Sequence, residues 1–174
     1  MKELDEIINI VVEQIGTSKN DINAPFVELT GGEPLANPHT PELLRELLLL
    51  NYEVAIETAG SHDLSVIPSE VIKIVDRKTP GSGEVDRWLE TNLNYLLAGR
   101  DELKFVLVDK ADYEWAKAWC LERKILGHQI ILFSPAWGSL DSQWLADKII
   151  QDRLPVRFQT QLHKIIWGSN RTGV

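Results

Sequence analysis

Short apolar runs that end in polar or glycine-bearing tips alternate with segments of helical period along most of the chain. Phe26–Thr30, Tyr52–Glu57, Val71–Val75, Leu103–Val108, Gln129–Phe133 and Pro155–Gln159 read as strands. Between them, Asp86–Leu97, Ala111–Lys124 and Ser142–Arg153 read as helices, as does a segment capped by Thr40, with Pro41 at its first position and Asn51 as its stop. Strands separated by helix-length segments do not pair as hairpins, so the alternation predicts a parallel sheet of the α/β class. In such a sheet the carboxyl ends of the strands converge on one rim, where ligands bind. No linker, low-complexity run or internal repeat interrupts the pattern, which predicts a single domain over residues 1–174.

The chain opens on a helix. Leu4, Ile7, Ile8, Val11, Val12 and Ile15 keep the spacing of one helical face, and Gly16 ends it. Leu47–Leu50 reads as the buried part of the next helix, while Trp88, Leu89, Leu93, Leu96 and Leu97 read as the inward face of the helix over 86–97.

The polar strand tips are Thr30–Glu33, Thr58–Gly60, Asp76–Lys78, Asp109, Ser134 and the segment Gln159–His163, and the topology predicts them around one mouth. The run Thr30-Gly31-Gly32-Glu33-Pro34 is the most suggestive. Two glycines let the backbone approach a ligand closely, and Glu33 adds a carboxylate that suits an amine. The same run also serves as an ordinary strand-ending turn. Lys78 suits a carboxylate or a solvated loop, and His163 suits a ligand or the surface. Glu84 reads as an acid favouring the N-terminus of the helix after it, and Trp137 and Trp167 as covers for a flat ligand or for packing. The set fits a polar or zwitterionic small molecule. It contains no Ser-His-Asp spacing, Walker loop or HExxH pair.

Composition narrows the class. A net charge of −8 over 174 residues argues against nonspecific nucleic-acid binding. No apolar run is long enough to span a bilayer, and the mixed, acidic Met1–Glu6 is unlike a signal peptide, so a cytoplasmic location without membrane contact is expected. The single cysteine, Cys120, excludes an intrachain disulfide and reads as a buried core thiol.

Several motifs recur together in a fixed order: Thr-Gly-Gly-Glu-Pro at 30–34, Glu-Thr-Ala-Gly at 57–60, Asp-x-Lys-x-Pro-Gly-Ser-Gly-Glu at 76–84, Asp-Glu-Leu-Lys-Phe-Val at 101–106, Ser-Pro at 134–135 and Gln-Leu-His-Lys-Ile-Ile-Trp-Gly at 161–168. In this the chain resembles the 7-carboxy-7-deazaguanine synthase family of radical S-adenosylmethionine enzymes. The resemblance implies a partial (β/α) barrel and a step toward 7-deazapurines such as queuosine. It implies ring contraction of 6-carboxy-5,6,7,8-tetrahydropterin with loss of ammonia, using S-adenosylmethionine, a [4Fe-4S] cluster and Mg²⁺, in a homodimer. It also suggests roles by matching position. Thr30, Gly31, Gly32 and Glu33 would hold the amino group of S-adenosylmethionine, and Thr58, Asp76 and Lys78 its ribose or carboxylate. Ser134 would face the adenosine, while Gly32, Gln161 and His163 would face the pterin.

One part of the family pattern is missing. The three-cysteine loop that binds the cluster, the early Gln-Gly-Glu substrate residues and a magnesium-binding threonine have no counterpart, and Leu4–Ile15 resembles the helix that follows that loop. The expectation is therefore that Met1 is an internal methionine of a longer coding sequence, with a broken gene or a cluster-free relative as alternatives. As written, the chain is expected not to generate a radical, and its open sheet edge predicts poor solubility in isolation. Two other functions remain: a non-catalytic relative that binds S-adenosylmethionine or a pterin, and a barrel aldolase using Lys78 as a Schiff base.

Overall fold

The computed structural model describes residues 4–16, 25–169 and 171. The chain divides into two compact units, one formed by Met1–Asp76 with Arg87–Asp101, the other by Arg77–Asp86 with Glu102–Val174.

The first unit runs α1 (Leu4–Ile15), β1 (Phe26–Leu29), α2 (Thr40–Leu49), β2 (Glu53–Thr58) and β3 (Ile72–Asp76). The strands are parallel in the order β1-β2-β3, with Leu29 level with Ile56 and Ile56 level with Lys73. Because side chains alternate across a strand, this register puts Val54, Ile56 and Thr58 of β2 on the same face as Lys73 and Val75 of β3, and all five are buried. Helix α2 contributes Leu43, Leu44 and Leu47 to the core, but Leu49 is 76% exposed, so the buried stretch predicted for 47–50 stops short. Truncating the fully buried Leu44 to alanine would cost about 2–5 kcal/mol.

Thr40 does not cap α2; it lies in the first turn behind His39, and its hydroxyl donates to the carbonyl of Pro34 at 2.5 Å. The residue thus fastens the exit from β1. The helix predicted over 86–97 is absent: the segment forms 3₁₀ turns at Val85–Arg87 and Glu90–Tyr95, and Leu89 and Leu97 are exposed. Its backbone is drawn elsewhere, since Leu89 N–H donates to Gly60 O at 3.2 Å. The fully buried Asn92 amide donates to the carbonyls of Gly60 and His62 and accepts from Leu64 N–H. These bonds run to residues 28 to 32 positions away, and tertiary contacts of this kind override a local helical spacing. Glu84 accordingly precedes no α-helix, and its reading as a helix-favouring acid falls with it.

The second unit runs β4 (Glu102–Leu107), α3 (Lys110–Glu122), β5 (Ile130–Pro135), α4 (Ser142–Asp152), β6 (Arg157–Phe158) and α5 (Leu162–Trp167). The strands are again parallel, in the order β4-β5-β6. The last strand is only two residues long, against the five predicted over 155–159. Asp109 and Asp141 cap α3 and α4 by accepting the N–H groups of Asp112 and Trp144. The core is aromatic. Phe105 meets Trp119 and Phe133 edge-on, with centroids 5.7 and 5.6 Å apart, and Tyr113 meets Phe133 and Trp144 in the same manner.

Candidate functional site

The tip of β1 is built on backbone that only glycine adopts readily. Gly31 has φ +100° and Gly32 φ +56°, and a Cβ added to either would meet nothing within 4 Å. Conformation, not crowding, requires them, and the space beside them is open. Thr30, Gly31 and Gly32 are all exposed.

Glu33 turns the other way. Its Oε1 accepts from Leu35 N–H at 3.1 Å and Thr58 Oγ1 at 2.8 Å, and its Oε2 accepts from Ala59 N–H at 2.8 Å. The carboxylate therefore clamps the tip of β1 to that of β2. Three protein donors occupy most of its accepting capacity, which leaves room for about one more donor at Oε2. Thr58 is 2% exposed, and its hydroxyl also accepts from Gly60 N–H. Behind it, Gly60 (φ +68°) lies so close to Trp88 that a Cβ would sit 2.5 Å from the indole ring. Asp76 ends β3, half-buried.

In the second unit, Lys78 heads the loop over 77–86 and is half-buried. Arg77 and Thr79 on either side of it are 5% and 0% exposed. The Arg77 guanidinium donates to the carbonyls of Lys78 and Val85 at 2.7 and 2.9 Å and lies over the rings of Trp115 and Trp119. Those two indoles stack at 6.5 Å, as their i, i+4 spacing on α3 allows. The Asp112 carboxylate, 2% exposed, binds Thr79, Gly81 and Val108. Asp112 did not stand out in the sequence. The available signal was the Asp109-x-x-Asp112 spacing, which marks a helix start but not this use of the carboxylate.

Ser134 lies on β5, level with Val106, and is 2% exposed. Just beyond it the chain borders a cavity of about 510 Å³, whose walls include Pro135, Trp137, Asp141, Ser142 and Thr160. Trp137 is 46% exposed, and Lys164 of α5 holds its ammonium 5.9 Å from the indole centroid. Gln161 precedes α5, with a buried Oε1 that has no hydrogen-bond partner among the described residues; His163 is half-buried on the same helix. The site residues thus gather as Thr30–Glu33 with Thr58 in one unit, and as the Lys78 loop, the Ser134–Trp137 cavity and the Gln161–His163 helix in the other.

The residues of this chain do not fit an iron–sulfur cluster, which needs several thiolates. Cys120 is the only cysteine; it is fully buried on α3, and burial pushes its thiol up to about 12. Among the described residues, no group of three or more His, Cys, Asp or Glu is placed to hold a metal ion.

No protein-family model matches the chain. It is similar to the 7-carboxy-7-deazaguanine synthase of Chlorobaculum tepidum, at 38% identity over 173 residues, covering 98% of this chain and 75% of that protein. The enzyme of the same name from Koribacter versatilis is 38% identical over 166 residues, covering 86% of this chain and 72% of that one. Among solved structures, QueE from Escherichia coli superposes with a TM-score of 0.65 at 20% identity, over 90% of this chain and 63% of that one. That likeness shows the fold, and it bears out the α/β class and the open-barrel type expected from the sequence. With 38% identity spanning 75% of the Chlorobaculum tepidum protein, the chain belongs to the 7-carboxy-7-deazaguanine synthase family of radical S-adenosylmethionine lyases.

Proposed function

We propose that this chain binds S-adenosylmethionine and 6-carboxy-5,6,7,8-tetrahydropterin for the ring contraction that yields 7-carboxy-7-deazaguanine. The observation that supports this most is the tip of β1, where exposed, positive-φ glycine backbone stands next to a Glu33 carboxylate locked in place by Thr58 and Ala59. An ammonium group binds carbonyl oxygens and a carboxylate, and a pre-set cradle avoids the cost of ordering them at binding. In this reading Thr30–Gly32 and Glu33 take the amino group of S-adenosylmethionine. Asp76 and Thr58 bound the ribose side, and Lys78 pairs with the carboxylate. Ser134 and the cavity beside Trp137 take the adenosine, with the exposed indole as a stacking surface. Gly32, Gln161 and His163 take the pterin. Gln161 is apt, because its buried Oε1 has accepting capacity to offer an N–H of a ring.

When bound to its cluster, S-adenosylmethionine supplies radical chemistry in this family; the residues of this chain bind and orient, and no radical step is assigned to them. The lone cysteine favours a second reading, a non-catalytic relative that binds the same ligands. Mg²⁺ dependence and a homodimer belong to the first reading and rest on the family likeness.

Calorimetric titration of S-adenosylmethionine into the purified chain tests the proposal, with saturable one-site binding expected. His163→Ala should weaken pterin binding and spare S-adenosylmethionine. No binding of either ligand by the unmodified chain would reject both readings. Turnover on adding iron and sulfide would reject the non-catalytic one.

A further inference from the structure

The Asp112 carboxylate is spent on a loop of another element. An acidic residue at the third position of a helix commonly reaches back to its own N-cap. Asp112 instead accepts from Gly81 N–H at Oδ1 (2.8 Å), and from the Thr79 hydroxyl (2.8 Å) and Val108 N–H (3.0 Å) at Oδ2. The fit is close enough to dictate sequence. A Cβ on Gly81 would sit 2.5 Å from Asp112 Oδ2, so the first glycine of Pro-Gly-Ser-Gly is there because the carboxylate is.

Lys78 is bracketed by this anchor and a second one. After it, the Thr79 hydroxyl donates to Asp112, with Val106 O at 3.2 Å competing for the same proton. Before it, Arg77 N–H donates to Lys104 O at 2.8 Å, and the Arg77 guanidinium closes the loop by bonding the carbonyls of Lys78 and Val85. Buried charges are costly, and apolar packing would hold a surface loop at least as stably. What a hydrogen-bonded carboxylate and guanidinium add is a single conformation.

We propose that Asp112 is a positioning residue, with Arg77 as its counterpart, which together fix the backbone of Lys78 so that its ammonium is pre-set for an anionic group of the ligand. This rests on the reading that Lys78 pairs with the carboxylate of S-adenosylmethionine. Asp112 touches no ligand itself and acts only through the loop.

A double-mutant cycle read by calorimetric titration with S-adenosylmethionine tests it. Asp112→Asn should weaken binding by about tenfold when Lys78 is present and leave the already weakened Lys78→Ala chain unchanged. Thr79→Val, which keeps the carboxylate and removes one of its donors, should show the same dependence on Lys78 with a smaller effect, and serves if Asp112→Asn does not fold. Amide hydrogen exchange at Gly81 should quicken in either variant. Equal weakening with and without Lys78 would mean a merely structural role and overturn the proposal. An unchanged affinity in Lys78→Ala would also overturn it, while leaving S-adenosylmethionine binding intact. Absence of binding by the unmodified chain would remove the underlying reading first.

Discussion

Thr58 Oγ1 donates to Glu33 Oε1 at 2.8 Å and so joins two strand tips that lie 25 residues apart in the chain. Thr58→Val keeps the side chain's volume and removes that donor, and it also removes the acceptor of Gly60 N–H. Leaving such buried partners unsatisfied costs about 1–3 kcal/mol. The midpoint of urea unfolding should fall accordingly. If the clamp pre-sets the lip, affinity for S-adenosylmethionine falls as well, by about tenfold. Unfolding that shifts while affinity stays fixed would show that the clamp supports the fold alone.

The two glycine turns of the first unit should respond differently to alanine. At Gly31 only backbone conformation opposes the change, since the space is open, and a strained φ costs about 1–3 kcal/mol. At Gly60 the same kind of strain adds to a clash with Trp88 and with Val75. Gly60→Ala should therefore lower Tm more than Gly31→Ala, whereas Gly31→Ala should do more damage to ligand binding. Thermal unfolding and titration of both variants check the ordering, and a reversed order in Tm would contradict the geometry.

Much of this was legible along the chain, and what was not shares a cause. The strands and the stacked Trp115 and Trp119 follow from local pattern, which the sequence carries directly, whereas Asp109, expected at the mouth, caps α3. The glycines of the lip were readable for the same reason. The segment 86–97 was misread because its Trp and Leu spacing imitates a helical face, while the Asn92 amide that holds it open bonds to residues about 30 positions away. Thr40, Glu33 and Asp112 likewise bond to Pro34, Ala59 and Thr79, which lie 6, 26 and 33 residues distant. No periodicity announces such contacts.

Asp152 gives the second unit a pH-dependent tie. Its carboxylate accepts from Lys117 Nζ at 2.6 Å, Lys148 Nζ at 2.8 Å and the Tyr113 hydroxyl at 2.9 Å, joining α3 to α4. The bond from Lys117, then that from Lys148, holds the carboxyl well below its usual range. A carboxyl depressed in the fold stabilises fully above its unfolded pKa of about 3.9, and this is lost as pH falls through the lower folded value. Asp152→Asn should thus lower the urea midpoint at neutral pH, and the gap from the unmodified chain should close below about pH 4. Lys117 is raised by the same bond, so its share is present below about pH 10 and fades as pH rises through its folded pKa. Urea unfolding across this range checks both arms; a gap that stays constant with pH would show that the contact carries no net electrostatic stabilisation.

Cys120 should be chemically silent. It is fully buried on α3, and burial pushes its thiol up to about 12, with Arg123 pulling weakly the other way. At pH 8 that leaves roughly one thiolate in ten thousand, and the thiolate is the form that reacts with an alkylating agent or binds iron. Iodoacetamide should therefore leave the folded chain unlabelled and modify it fully in urea. Anaerobic addition of iron and sulfide should yield no stoichiometric cluster, because one buried sulfur cannot replace the several thiolates a cluster needs. Mass spectrometry after alkylation, together with iron and sulfide assays on the desalted protein, measures both outcomes. Rapid labelling in the native state would contradict the buried thiol. A cluster bound in stoichiometric amount would mean that its ligands are found outside the cysteine set of these 174 residues or shared between copies.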